Sequence, residues 1–407
     1  MTIIKNISQL VTHSTDNLNP QPTIYNNLSL QIHEGKILKL SPNSKLGRYK
    51  KEKIIDVKGK AVIPGLIECH THAIFGGNRI DDFEKRSNGI SYLEILKAGG
   101  GINYTVKCTR STKESELLKT GLKRVKKFIS NGITTLEIKS GYGLSFEDEL
   151  KLLRIINTIK KKSDIEIIPT FLGAHTFPEE YRNEKGKYID IIIKKMLPVI
   201  KRRKLSQFCD VFTEKGAFNL NQTKQIFNAA KRLGFKLKIH ADQLTNSGAA
   251  LLAAKYKCIS AEHLEKSDEK SILALKKAGV TAVLLPYATI FTGHNEFAKA
   301  RMMIDNGLRV AISTDFNPGS SYTFNLLFCA MLGITQMRMT INEALMAITI
   351  NAAYALGLQE RKGTIEVGKD ADLLVLNTND YREIFYNPDP SLIKLVISKG
   401  KIIFENS

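Results

Sequence analysis

The chain has 407 residues, 43% hydrophobic and 25% charged, the balance of an ordinary soluble globular protein long enough to bury a large core. Its formal net charge of +20 raises the question of nucleic acid. However, the cations fall in short clusters (Lys123–Lys127, Lys160–Lys162, Lys201–Lys204) on or beside predicted helices without interleaved aromatic residues, so a solvated outer face is expected and no nucleic-acid partner.

No apolar run approaches the roughly 18 residues of a membrane span. The N-terminus lacks the basic-then-apolar order of a signal peptide. The five cysteines are odd in number and form no CxxC, which argues against a disulfide framework or a cysteine zinc site. A cytoplasmic location and no membrane partner are therefore expected.

Up to about residue 60, short strand-like runs at Thr2–Ile4, Leu28–Ile32, Ile37–Leu40 and Ile54–Val57 are punctuated by Gly35 and the polar stretch Ser41–Lys53, predicting a small β unit. From Ala61 apolar strands alternate with amphipathic helices, the signature of a parallel α/β architecture. Strands are expected at Ala61–Glu68, Thr134–Ile138, Glu166–Leu172, Phe208–Thr213, Lys236–Ile239, Cys258–Ala261, Thr281–Leu285 and Arg309–Ser313. Helices are expected between most of them, at Lys113–Ser130, Phe146–Lys161, Lys187–Ile200, Asn221–Leu233, Ser247–Lys255, Asp268–Ala278 and Glu296–Asp305, several followed closely by a glycine suited to a C-terminal cap.

Eight such units suit a (β/α)8 TIM-like barrel better than an open sheet, with Phe75–Lys113 as an insertion over the mouth. Tyr322–Leu332 and Ile341–Leu356 extend the helical pattern. Strands return at Ala371–Leu376, Leu392–Ser398 and Lys401–Phe404. The expected architecture is thus a barrel over 61–363 with a small composite β-sandwich domain formed from both chain ends, 1–60 and 364–407.

Active sites of such barrels lie at the C-terminal ends of the strands. In AVIPGLIECHTHAIFGGNR (Ala61–Arg79), period-two alternation puts His70 and His72 on one face. The second strand runs into Tyr142, the third ends at His175, the fifth at His240 with Gln243 close behind, the sixth at His263 and the eighth at Asp315. Five of the eight histidines therefore fall at strand C-termini, while His13, His33 and His294 do not and read as surface or structural. His70, His72, His240 and Asp315 offer three neutral nitrogens and a carboxylate, a set suited to Zn2+ or Fe2+ with a position left for water. Such an ion can lower the pKa of bound water from about 16 to about 7.

These motifs, with KGTIEVGKDADLLVLN (Lys362–Asn377), resemble the amidohydrolase superfamily. More narrowly, IPGLIECHTHAIFGGNR, EIKSGYGL, FLGAH, HADQ, AEHL and STDFNPGSS resemble the branch that hydrolyses the ring amide of 4-imidazolone-5-propanoate to N-formimidoyl-L-glutamate in histidine degradation. The resemblance implies one metal ion, Zn2+ or Fe2+/Fe3+, a small-molecule substrate, and a homodimer as a common assembly. It implies Arg79 as partner of the substrate propanoate, since a planar guanidinium pair of donors suits a carboxylate. Tyr142 and His175 become ring and carbonyl contacts, and Asn317, Gly319 and Ser320 hold substrate or product. NPGSS also reads as a plain turn, with Ser320 or Ser321 capping the next helix.

In the implied mechanism activated water attacks the ring carbonyl. Asp315 accepts its proton and passes it to the leaving nitrogen, and His263 orients or stabilises the oxyanion, assists proton transfer, or serves as a ligand. Some members have glutamate where this chain has Gln243. An amide cannot transfer a proton as a carboxylate does, so Gln243 is assigned to binding and orientation. Lys215 follows the fourth strand in a context that suits a carboxylated-lysine bridge poorly, which favours one metal over two. The alternative is another cyclic amidohydrolase or an aromatic deaminase of the same superfamily.

Overall fold

Two sheets organise the chain, and Gly65 is where it passes from one to the other. The computed structural model describes residues 1–15, 18–45, 52–90, 94–95 and 98–406. Parts of the polar stretch (46–51) and of the mouth insertion (91–93 and 96–97) lie outside the described residues.

The N-terminal part supplies β1 (Thr2–Thr12), β2 (Thr23–His33), β3 (Lys36–Pro42), β4 (Lys53–Asp56) and β5 (Ala61–Pro64). The second sheet follows as β6 (Leu66–Glu68), β7 (Ile133–Lys139), β8 (Glu166–Ala174), β9 (Phe208–Thr213), β10 (Lys236–Ala241), β11 (Ser260–His263), β12 (Thr281–Leu284) and β13 (Val310–Ile312). The chain then returns to the first sheet with β14 (Leu373–Leu376), β15 (Ile393–Ser398) and β16 (Lys401–Glu405).

In the first sheet the order is β16-β15-β14-β5-β1-β2-β3, with β4 also pairing β1. The two chain ends join where β5 lies antiparallel to β14 and parallel to β1. Ile4, Leu30, Ile37, Val62, Val375 and Ile397 belong to one separate core there. The strand expected over Ala61–Glu68 is therefore two strands in two sheets. A continuous buried apolar run hides the break, and only Pro64-Gly65 marks it. A Cβ at Gly65 would stand 2.4 Å from Thr134 Oγ1, so the bend requires glycine against β7.

The second sheet has eight parallel strands in the sequential order β6 to β13. It closes just beyond β6 and β13, where His72 N–H donates to Phe316 O at 2.9 Å and Glu68 receives Ser313 Oγ and Thr314 N–H. This is the TIM-like barrel. Its helices bury one stripe each, as Leu117, Gly121, Val125 and Phe128 do in Glu114–Ser130. Ser145, Asn219 and Asp268 cap helix starts through their side chains.

Three helical expectations shift. The segment after β13 becomes helical at Leu326, capped by Asn325 rather than by Ser320 or Ser321. Ile341–Leu356 is two helices, Ile341–Ala347 and Ile350–Leu356; the break frees Ile348 O to accept Ile67 N–H at 3.0 Å. Glu296–Asp305 shortens to Ala300–Asp305, and a helix at Pro286–Phe291 precedes it. The insertion over the mouth carries helices Ile80–Ser87 and Gly101–Ser111.

Candidate active site

The barrel gathers every strand-end residue named above that pointed to metal chemistry. His70, His72, His240, His263 and Asp315 are each no more than 3% exposed. Asp315 Oδ1 lies 3.3 Å from His70 Nε2 and 3.6 Å from His72 Nε2. Donor atoms of His70, His72 and Asp315 all fall within 4.8 Å of one another, and so do those of His70, His240 and His263. A tetrahedral ion with bonds of about 2.1 Å would set its donors about 3.4 Å apart, close to these separations. Nε2 of His240 is buried with no hydrogen-bond partner among the described residues, which fits a nitrogen able to hold a metal ion.

Backbone geometry helps aim these groups. Asp242, His263, Leu264 and Asp315 all adopt positive φ, between 50° and 76°. Such conformations cost about 1–3 kcal/mol each and recur at functional sites.

Burial disfavours charge on the ring nitrogens here. His72 is held well below the usual histidine range by burial, then by the neighbouring His175, His70 and His240. His240 is lowered by burial against the opposing pull of Asp210. For His70 burial also lowers, but Glu262 and Asp315 outweigh it and push the ring up to about 9. Burial works against the Asp315 charge, yet His70, with help from His263 and His240, keeps that carboxyl below its ordinary value.

Tyr142, His175 and Arg79 surround the cluster. His175 stacks on His72 at 5.0 Å, and Tyr142 lies 5.7 Å from His72 and 5.4 Å from His175, ring centre to centre. His175 falls to about 3 through burial and the neighbouring His240, so its ring is neutral. Its Nδ1–H donates to Gly141 O at 3.0 Å, which leaves Nε2 as an acceptor.

Arg79, with a side chain 10% exposed, packs on the loop after β13: a Cβ on Gly319 would fall 1.4 Å from Arg79 Nη2. Arg79 Nε is buried without a partner among the described residues, and its Nη1 lies 3.7 Å from Asp82. Asn317 spends its amide inside the same loop. Its Nδ2 donates to Asp315 O and Ser320 Oγ, and its Oδ1 accepts from Gly319 N–H and Ser320 N–H. Gln243 is partly exposed at the end of β10. His13 is buried, while His33 and His294 are exposed.

The sequence reading missed the groups that hold these loops. Glu149 Oε1 accepts N–H bonds from Gly141, Gly143 and Leu144, bracketing Tyr142. Arg124 donates to Ala73 O and Phe75 O and lies 3.5 Å over the Phe75 ring, pinning the segment from His72 towards Arg79. Glu214 accepts from Leu244 N–H and Thr245 N–H, just past Gln243.

Beneath the cluster the barrel interior holds Glu137, Lys139, Asp210, Lys238 and Glu262, all with fully buried side chains. Their signal was present in the strands. Charges at Glu137, Lys139 and Lys238 interrupt apolar runs, and Lys238 shares its face with His240 at period two. Glu262 is harder to find, because the positive φ of His263 breaks the alternation after it.

Residues 61–403 match the amidohydrolase family, and the chain belongs to it. Along its length the chain is also similar to imidazolonepropionases. That of Clostridium tetani is 41% identical over 417 residues, covering 100% of this chain and 98% of the relative. That of Fusobacterium nucleatum is 40% identical over 409 residues, covering 99% and 98%. Among solved structures, 5-methylcytosine deaminase from Klebsiella pneumoniae with 5-fluorocytosine superposes with a TM-score of 0.77 at 16% identity, covering 100% of this chain and 98% of the other. A triazine hydrolase variant reaches a TM-score of 0.79 at 15% identity, covering 100% and 95%. Likeness at these identities bears on the fold alone.

Proposed function

We propose that this chain hydrolyses the ring amide C–N bond of 4-imidazolone-5-propanoate to N-formimidoyl-L-glutamate, a step of histidine degradation, using one zinc or iron ion held by His70, His72, His240 and Asp315. The observation that carries the reading is the Arg79 guanidinium laid against Gly319, four residues beyond Asp315, with a buried Nε lacking an acceptor among the described residues. It supplies a carboxylate anchor beside the hydrolytic cluster. The relatives' shared name and the full-length similarity support the same substrate.

When bound, the ion supplies Lewis-acid polarisation and a water acidic enough to react near neutral pH. The chain's own residues do the rest. Arg79 holds the propanoate through its planar fork. His175, neutral and with Nδ1–H committed to Gly141 O, accepts the substrate ring N–H at Nε2. Tyr142 packs on the ring face. Asp315, kept ionised, takes the proton of the attacking water and returns it to the departing ring nitrogen. His263 donates to the developing oxyanion. Asn317 shapes the loop that offers Gly319 and Ser320 to the substrate. Gln243 orients without moving a proton. All these residues come from one chain.

The test follows the ultraviolet absorbance of 4-imidazolone-5-propanoate with protein loaded with zinc or iron. Its steady loss is expected, and no loss with either metal refutes the assignment. Neutral cytosine is the comparator, because a deaminase of such a base has no use for Arg79.

A further inference from the structure

The buried charges under the mouth form a closed net. Lys139 Nζ lies 2.8 Å from Asp210 Oδ2, 3.0 Å from Glu262 Oε2 and 3.0 Å from Glu137 Oε2. Lys238 Nζ lies 2.8 Å from Glu137 Oε1 and 2.9 Å from Glu262 Oε1. Two of these carboxylates reach up to the histidines. Glu262 Oε2 lies 2.6 Å from His70 Nδ1, and His240 Nδ1 donates to Asp210 Oδ1 at 3.1 Å.

Burying five charges with no exposure is costly, and a buried ion pair is weak evidence for stability alone. A neutral imidazole has one N–H and one lone pair; Asp210 holds the N–H of His240 on Nδ1, and Glu262, 2.6 Å from His70 Nδ1, keeps a proton there when that ring gives up its other one. Nε2 then turns its lone pair to the mouth. Asp210, His240 and Glu262 could themselves gather a cation, since their donors lie within 4.8 Å of one another. The Lys139 ammonium already sits against two of them, so the carboxylates stay aimed at Nδ1.

We propose that Asp210 and Glu262, clamped by Lys139, are positioning residues that fix Nε2 of His240 and His70 as the nitrogens facing the metal. This rests on the reading of those histidines as ligands. Asp210→Asn makes the sharpest probe. Beside an unchanged ammonium, the new amide gives its oxygen to Lys139 and its NH2 to His240 Nδ1. That forces the N–H onto Nε2, where it blocks a ligand. In the double variant Asp210→Asn/Lys139→Met the amide oxygen is free to face His240 again, and the net charge of the cluster is that of the parent.

The experiment is Zn2+ competition against a chelator, with the visible spectrum of the Co2+-loaded protein, on folded variants checked by circular dichroism. Parent protein that binds neither ion would fail the metal reading itself. With parent binding intact, Asp210→Asn and Glu262→Gln should each weaken Zn2+ binding about 10- to 100-fold and alter the Co2+ bands, and Lys139→Met should restore part of the Asp210→Asn loss. Binding within twofold of the parent for both single variants, with unchanged Co2+ bands, overturns the proposal. The 15N shifts of the metal-free parent test it independently of any variant: His240 should carry its proton on Nδ1, and a proton on Nε2 overturns it.

Discussion

Replacing Gly319 with alanine tests the proposed substrate anchor, Arg79, without touching a charged group. The new Cβ would lie 1.4 Å from Arg79 Nη2, 2.2 Å from Cζ and 2.7 Å from Nε. Ordinary contact begins at 3.4 Å, so the guanidinium must retreat by about 2 Å. Gly319 lacks a positive φ, so its own backbone accepts alanine. A displacement of that size breaks a charge-assisted pair worth about 1.5–3 kcal/mol. The expected loss in kcat/KM is therefore roughly 10- to 150-fold, mostly in KM, because the anchor binds ground and transition states alike. Steady-state absorbance assays on 4-imidazolone-5-propanoate measure this, with metal content by elemental analysis unchanged.

A double-mutant cycle sharpens the test. Gly319→Ala should add little to Arg79→Ala, since both remove one interaction. An unsubstituted imidazolone should be indifferent to either change. A Gly319→Ala variant with kcat/KM within threefold of the parent, or an effect that adds in full to that of Arg79→Ala, refutes the anchoring role of Arg79.

His72→Ala should lose bound metal and activity together; a metal-free variant with full turnover would contradict the proposed site. His13 is 3% exposed and donates Nε2–H to Pro20 O, while burial lowers its pKa to about 4. Between pH 6.5 and 4 the unfolded chain takes up a proton that the folded chain refuses, so folded stability falls as pH drops, by about 3 kcal/mol in total. Urea unfolding across this window should show His13→Asn losing less stability than the parent, and parallel profiles would refute the assignment. Thr340 and Glu343 form a reciprocal cap at the start of Ile341–Ala347, so Thr340→Ala should cost about 1 kcal/mol by urea unfolding. No shift in midpoint would show that the cap is idle.

Much of the fold was legible because barrel strands announce themselves as short apolar runs between amphipathic helices. Phe208–Thr213 and Glu269–Ala278 stand within a residue of their expected bounds. Where packing decides, the pattern was silent. Beyond Pro64-Gly65 nothing local distinguishes β5 from β6, since both are wholly buried; they part because β14 claims one and β7 the other. Likewise Ile341–Leu356 reads as one helix until Ile67 requires the Ile348 carbonyl.

The sequence by itself determined the candidate donors of this protein. Histidines and an aspartate at strand ends can be found by period two and by the rule that barrel sites lie at C-terminal ends. Only the tertiary structure decided what those donors face. The contact of Arg79 with Gly319 joins residues 240 positions apart, and Glu262 meets His70 across the barrel. The physical reason is that alternation along a strand specifies which face a side chain takes, whereas its partner on that face is set by closure of the whole sheet.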